Sequence, residues 1–146
     1  MSAPARRLIG AAVLGALLTL PAWAERMERL GPFEAHYSLV PTLMLSPDVA
    51  GNYGIARGRD RALLNVTILD ADGKPVQAEV SGVVRDLLGQ PSPIGFREVL
   101  EGEAVYYLAE IRHADQEVLR FTIDVRTPDG VSRSFAFQQK LYWEEP

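Results

Sequence analysis

From residue 33 onward the chain alternates apolar and polar positions in short stretches broken by turn signals. Phe33, Ala35, Tyr37, Leu39 and Leu43 alternate with Glu34, His36, Ser38 and Thr42, the period-2 pattern of a half-buried strand. Pro41 lies within that run, which predicts an edge strand or a bend there. Ser46 to Arg61 is rich in Gly and turn-formers and reads as a long loop with one short strand around Tyr53 to Ala56. Ala62 to Leu69 (ALLNVTIL) is the clearest strand. Asp70 to Lys74 follows as a hairpin turn, with Gly73 free to take a positive φ. Pro75 to Leu87 returns, with Val76, Ala78 and Val80 on one face and Gln77, Glu79 and Ser81 on the other.

Leu88 to Pro93 turns the chain again, and Ile94 to Leu100 makes a short strand. Three alternating runs complete the pattern. Val105, Tyr107, Ala109 and Ile111 share a face, as do Leu119, Phe121, Ile123 and Val125. Phe135, Phe137, Leu141 and Trp143 share a third, after the turn Pro128-Asp129-Gly130. No window carries a helical stripe of three turns. Seven to eight short strands spaced by turns predict an all-β fold, a single antiparallel immunoglobulin-like β-sandwich. The adjacent Tyr106 and Tyr107 must face opposite ways, so Tyr107 is expected in the core and Tyr106 at the surface.

The first 24 residues break this pattern. Arg6 and Arg7 precede the uncharged run Leu8 to Leu20, and Ala22-Trp23-Ala24 supplies small residues at the positions a signal peptidase reads. The apolar run is shorter than the roughly 20 residues of a membrane-spanning helix. Residues 1–24 therefore read as a signal peptide cleaved after Ala24, and residues 25–146 as one β-sandwich domain in the periplasm, with no membrane span left after cleavage.

Charge and cysteine content narrow the function. The chain has 15 Lys and Arg against 19 Asp and Glu, a formal net charge of −4. Arg6 and Arg7 supply all the basic charge of the first 24 residues, so the remainder is more acidic still. That balance opposes a nucleic-acid partner, which wants a basic face. Cysteine is absent, which removes disulfides, thiol catalysis and Cys-based metal sites together.

Candidate chemistry is sparse. A Ser–His–Asp hydrolase would want a G-x-S-x-G elbow, and the sequence has none. The carboxylates Glu98, Glu101, Glu103 and Glu110 read as solvated strand faces, so no enzymatic activity is expected and no cofactor is implied. The segment from Pro47 to Arg61 is the best candidate binding surface. It gathers Asn52, Tyr53, Arg57, Arg59 and Arg61 in an acidic chain, and Arg and Tyr are favoured at interfaces. Tyr106 joins this set if exposed. An alternative is a small-ligand or copper-binding module that uses His36 and Met44, with Met27 also near in sequence, since imidazole and thioether suit copper. Gln138 and Gln139 lie on the last strand, where edge pairing with a partner strand is available.

The ordered strings Asn52-Tyr53-Gly54-Ile55-Ala56-Arg57, Leu63-Leu64-Asn65-Val66, Gly89-Gln90, Val105-Tyr106-Tyr107-Leu108-Ala109 and Phe137-Gln138-Gln139 carry a resemblance. The chain resembles a proteobacterial family of small exported proteins catalogued as a domain of unknown function. The resemblance covers about Phe33 to Glu144. It implies a periplasmic, single-domain, immunoglobulin-like protein, and it implies no catalytic residues. The expected role is binding of an envelope protein or peptide.

Overall fold

The computed structural model describes residues 25–145. Nine strands build two antiparallel sheets: β1 (Glu25–Leu30), β2 (Phe33–Pro41), β3 (Arg61–Leu69), β4 (Glu79–Arg85), β5 (Pro91–Pro93), β6 (Arg97–Glu101), β7 (Ala104–Arg112), β8 (Glu117–Arg126) and β9 (Ser132–Leu141). One sheet runs β1-β2-β3-β7-β6 and the other β5-β4-β8-β9. The all-β sandwich is as expected, with one or two strands more than the alternation signalled. The signal peptide assigned to residues 1–24 lies outside the described residues.

The core fills the space between the sheets with the predicted faces. Phe33, Ala35, Tyr37 and Leu39 of β2 meet Leu64, Val66 and Ile68 of β3, Tyr107 and Ile111 of β7, and Phe121, Ile123 and Val125 of β8. Tyr37, Phe121, Phe135 and Phe137 form an aromatic group. The Phe121 and Phe137 rings stack at 4.7 Å, and Tyr37 tilts against Phe135 at 4.9 Å. Such ring pairs add about 0.5–1.5 kcal/mol each beyond the area they bury.

Four local expectations are corrected. First, β2 is interior, paired with β1 on one side and β3 on the other. Pro41 does not mark an edge; it ends the strand, and Thr42–Met44 follows as a turn of 3₁₀-helix. Second, β1 was not legible. Its residues are exposed except Leu30, because an edge strand can pair through its backbone and bury few side chains. Met27 stands in register with His36.

Third, Asp70–Lys74 does turn the chain, with Asp70 Oδ1 accepting the amides of Asp72 and Lys74 at 2.9 Å. No hairpin follows. Leu69 and Pro75 make a single bridge, and the chain then crosses to the other sheet as β4. Fourth, the strand expected at Tyr53 to Ala56 is absent; the segment instead holds the short helix α1 (Pro47–Asn52). Ser46 caps it by accepting the Val49 amide at 3.2 Å, Pro47 opens it and Asp48 sits in its first turn. Gly54, at φ 65°, lets the chain leave the helix.

Candidate functional site

The segment from Thr42 to Asp60 is a packed cover over the outer face of the five-stranded sheet. Leu45, Ala50 and Ile55 point inward and meet Val40, Leu63, Tyr106 and Leu108 of the sheet. This second apolar cluster lies on the opposite side of the sheet from the main core. Tyr106 is therefore 1 % exposed. The expectation of a surface Tyr106 fails because the cover lies on it, although its parity was right.

The other predicted binding residues mostly hold the cover in place. Arg57 donates from Nε to the Leu45 carbonyl at 2.8 Å and from Nη2 to the Leu43 carbonyl at 3.3 Å. Thr42, fully buried, places its hydroxyl 3.1 Å from the carbonyls of Gly58 and Arg61 and accepts the Gly58 amide. Tyr53 donates to Glu101 Oε2 at 2.5 Å, and Arg97 donates to the Tyr53 carbonyl. Burial and the Glu101 carboxylate push the Tyr53 hydroxyl up to about 12. Arg61 lies 3.8 Å from Asp60. Arg59 sits over the Trp143 ring at 4.3 Å, and Trp143 donates its indole N–H to the His113 carbonyl at 3.2 Å. Asn52 ends α1 at an exposed position. The Gly/Arg/Tyr segment is thus an internal brace with an exposed back.

His36 and Met44 do not come together. His36 faces the outer side of β2, five residues before Pro41, which is about 16 Å of extended strand, and Met44 lies beyond that end. Met44 is 53 % exposed. The His36 ring bridges two carboxylates instead. Nδ1 lies 2.8 Å from Glu25 Oε1 and Nε2 lies 3.0 Å from Glu34 Oε2. Burial alone would lower its pKa, but the two carboxylates outweigh this and raise it above 6.5. Both ring nitrogens are engaged, so a metal would have to displace a carboxylate. Among the described residues, no three His, Asp or Glu side chains are grouped to hold a metal ion. His113 is buried, with Nδ1 2.8 Å from the Ala114 carbonyl.

A feature that alternation did not signal lies on β7. The strand runs nine residues, whereas β6 pairs only with its first five, from Ala104 opposite Glu101 to Leu108 opposite Arg97. On that side Ala109–Arg112 has no strand partner. The reason is topological. Ile94, Gly95 and Phe96 carry the chain from β5 in one sheet to β6 in the other, so the chain reaches β7 only at Arg97. Gly82 permits that crossing. Its carbonyl accepts the Ile94 amide at 2.9 Å, and a Cβ there would lie 2.7 Å from the Thr122 carbonyl and 3.1 Å from Ile94 Cδ1.

The open stretch is flanked by two clefts. An inner cleft of about 320 Å³ between the sheets includes Val84, Ile94, Ile111 and Leu119 with Asp86 and Glu117. An outer cleft of about 260 Å³ is formed by Leu63, Gly95, Arg97, Leu108, Ala109 and Glu110. Glu110 borders both clefts, and its Oε1 accepts the Ala56 amide at 2.7 Å. The cover segment thereby fixes a carboxylate beside the open edge. Leu88, in the turn from Asp86 to Gln90, is 88 % exposed. The four-residue stretch of β7 beyond its pairing with β6 creates this site and follows from pairing, which no single stretch of sequence displays.

Known proteins place this architecture. The model of a family described as a domain of unknown function, DUF4426, matches residues 27–144. A DUF4426 family protein from Pseudomonas aeruginosa is similar at 33 % identity, with 86 % of this chain and 100 % of that chain covered and a TM-score of 0.76. FetP from uropathogenic Escherichia coli shares the fold more distantly. A copper-bound variant aligns at 12 % identity over 81 % of this chain and 95 % of that one, with a TM-score of 0.57. The protein as isolated, expressed in the periplasm, aligns at 11 % identity over 84 % and 96 %, with a TM-score of 0.59. No curated protein matches the chain. The match across the whole sandwich shows that this chain belongs to the DUF4426 family.

Proposed function

We propose that the domain works in the periplasm as a non-catalytic module that binds another protein or a peptide. The observation that carries this reading is the open stretch of β7, Ala109–Arg112, between two clefts. A strand edge offers unpaired amides and carbonyls to an added chain. The histidine chemistry supports a role without catalysis. A Ser–His–Asp site needs an accessible imidazole nitrogen free to take a serine proton, whereas His36 gives both nitrogens to carboxylates and the His113 ring is buried. Export is supported by the charged start, apolar run and A-x-A exit of residues 1–24. Among the described residues no helix is long and apolar enough to cross a membrane.

Site-specific photo-crosslinking in intact cells tests the reading. A crosslinker at Glu110 should give a discrete adduct, and one at Ser134, on the outer face of the other sheet, should not. Equal labelling from both positions would overturn it.

A second reading, copper or small-ligand binding, draws on one observation: Met27 stands opposite His36 in the β1–β2 register. The fold likeness to copper-bound FetP is compatible with it. Copper would have to release Glu25 or Glu34 from the His36 ring, so titration with copper should shift the His36 ring resonances if this reading holds and leave them in place if it does not.

A further inference from the structure

The open stretch of β7 has a cleft on each face, and that geometry specifies more than a sticky edge. Successive side chains of a strand point to opposite faces. In β7, Ile111 faces the inner cleft and Glu110 is turned outward. A chain laid along Ala109–Arg112 would therefore send alternate side chains into the inner and outer clefts. Strand addition works in this way, with main-chain bonds supplying affinity and side-chain pockets supplying selectivity. The four open residues match a bound segment about 13 Å long.

Charge decides what the segment carries. Of the two cations at the site, Arg112 is paired with Asp60 at 3.3 Å, while Arg97 donates to the neutral Tyr53 carbonyl and keeps its charge. The carboxylates receive only neutral amides. Glu110 accepts from Ala56, Glu117 accepts from Ala114 at 3.0 Å, and Asp86 accepts from Leu88 and Gln90 at 2.9 and 3.0 Å. A bond to a neutral group leaves a charge in place, so the carboxylates of Glu110, Asp86 and Glu117 stand against the one unpaired cation, Arg97, and the rim is net negative. Four apolar side chains, Val84, Ile94, Ile111 and Leu119, contribute to the mixed lining of the inner cleft.

Resting on the binding role argued above, we infer that the β7 edge takes an extended cationic segment of a partner protein. An apolar side chain of that segment enters the inner cleft, and Lys or Arg residues beside it face Glu110, Asp86 and Glu117. Steering by these charges makes association sensitive to salt.

Fluorescence anisotropy with the purified protein and a labelled hexapeptide alternating Lys and Val tests this. Two control peptides replace every Lys by Glu, or the central Val by Pro, which cannot donate to the edge. Saturable binding of the Lys peptide, weakened roughly three- to tenfold in Glu110→Gln with Glu117→Gln and lost with the Pro peptide, is the expected result. Gln keeps an acceptor for the Ala56 amide, so these variants should fold. Equal binding of the Glu peptide would overturn the cationic segment and leave the edge reading standing. No binding by any extended peptide, with a monomer in sedimentation, would overturn both. A dimer whose Ala109–Arg112 amides are protected would make a second copy the occupant and overturn the cationic partner.

Discussion

Tyr53 donates its hydroxyl to Glu101 at 2.5 Å, tying the end of α1 to the end of the edge strand β6. With the bond from Arg97 to the Tyr53 carbonyl, it joins the cover to the strand whose short reach leaves β7 open. Tyr53→Phe keeps the ring packed and removes the bond. Hydrogen bonds to charged groups contribute about 1.5–3 kcal/mol, and Tyr53 is half-buried, so the lower end of that range is expected. Chemical denaturation should report a lower midpoint with an unchanged slope.

Arg57 is expected to behave as a brace. Arg57→Ala frees the Leu43 and Leu45 carbonyls, which water can then satisfy, so the loss should be about 1 kcal/mol. Partner or peptide binding should be unchanged when measured well below the melting temperature. A binding loss without a stability loss would return the cover segment to the role of a recognition surface.

His36 makes stability depend on pH. Its pKa is raised in the folded protein, so protonation favours folding. The contribution is fully present below the unfolded value of 6.5 and is lost as pH rises through the raised folded value. Glu25 and Glu34 face the ring, and Glu34 also pairs with Arg29 at 3.3 Å. Thermal melts from pH 5.5 to 8.5 should show declining stability across that window, and His36→Gln should flatten the decline.

How much of this was legible beforehand differs by element. The alternating faces of β7, β8 and β9 are visible because each buries one side, and the core residues Tyr107, Phe121 and Phe135 follow directly. The helix is masked by the Gly-rich stretch around it, although Ser46-Pro47-Asp48 is a capping signal. The burial of Tyr106 depends on residues some fifty positions away lying over it, a relation no local period carries. The open edge of β7 is hidden for the same reason, since it arises from where β6 begins.

Gly82 should be intolerant of a side chain. An added Cβ would lie 2.7 Å from a backbone carbonyl of β8, which cannot swing away. Gly82→Ala should cost about 1–3 kcal/mol by overpacking and should shift the Ile94 crossing beside the inner cleft. Denaturation reads the first effect, and weaker peptide binding by a refolded sample reads the second.

Asn65 offers the opposite experiment. Its Oδ1 is buried without a hydrogen-bond partner, and an unsatisfied buried acceptor costs about 1–3 kcal/mol. Asn65→Leu, which keeps the branched side chain of four heavy atoms, should leave stability equal or raise it by about 1 kcal/mol. A large loss would mean that the amide is satisfied in solution.

Amide hydrogen exchange on β7, with and without a bound extended peptide, tests the central claim most directly. Alternate amides of Ala109–Arg112 point away from β3, so they should exchange quickly in the free protein and slow on binding, while the amides of Ala104, Tyr106 and Leu108, which face β6, stay protected throughout. Slowing confined to the Thr42–Asp60 cover, with the β7 edge unchanged, would contradict the account.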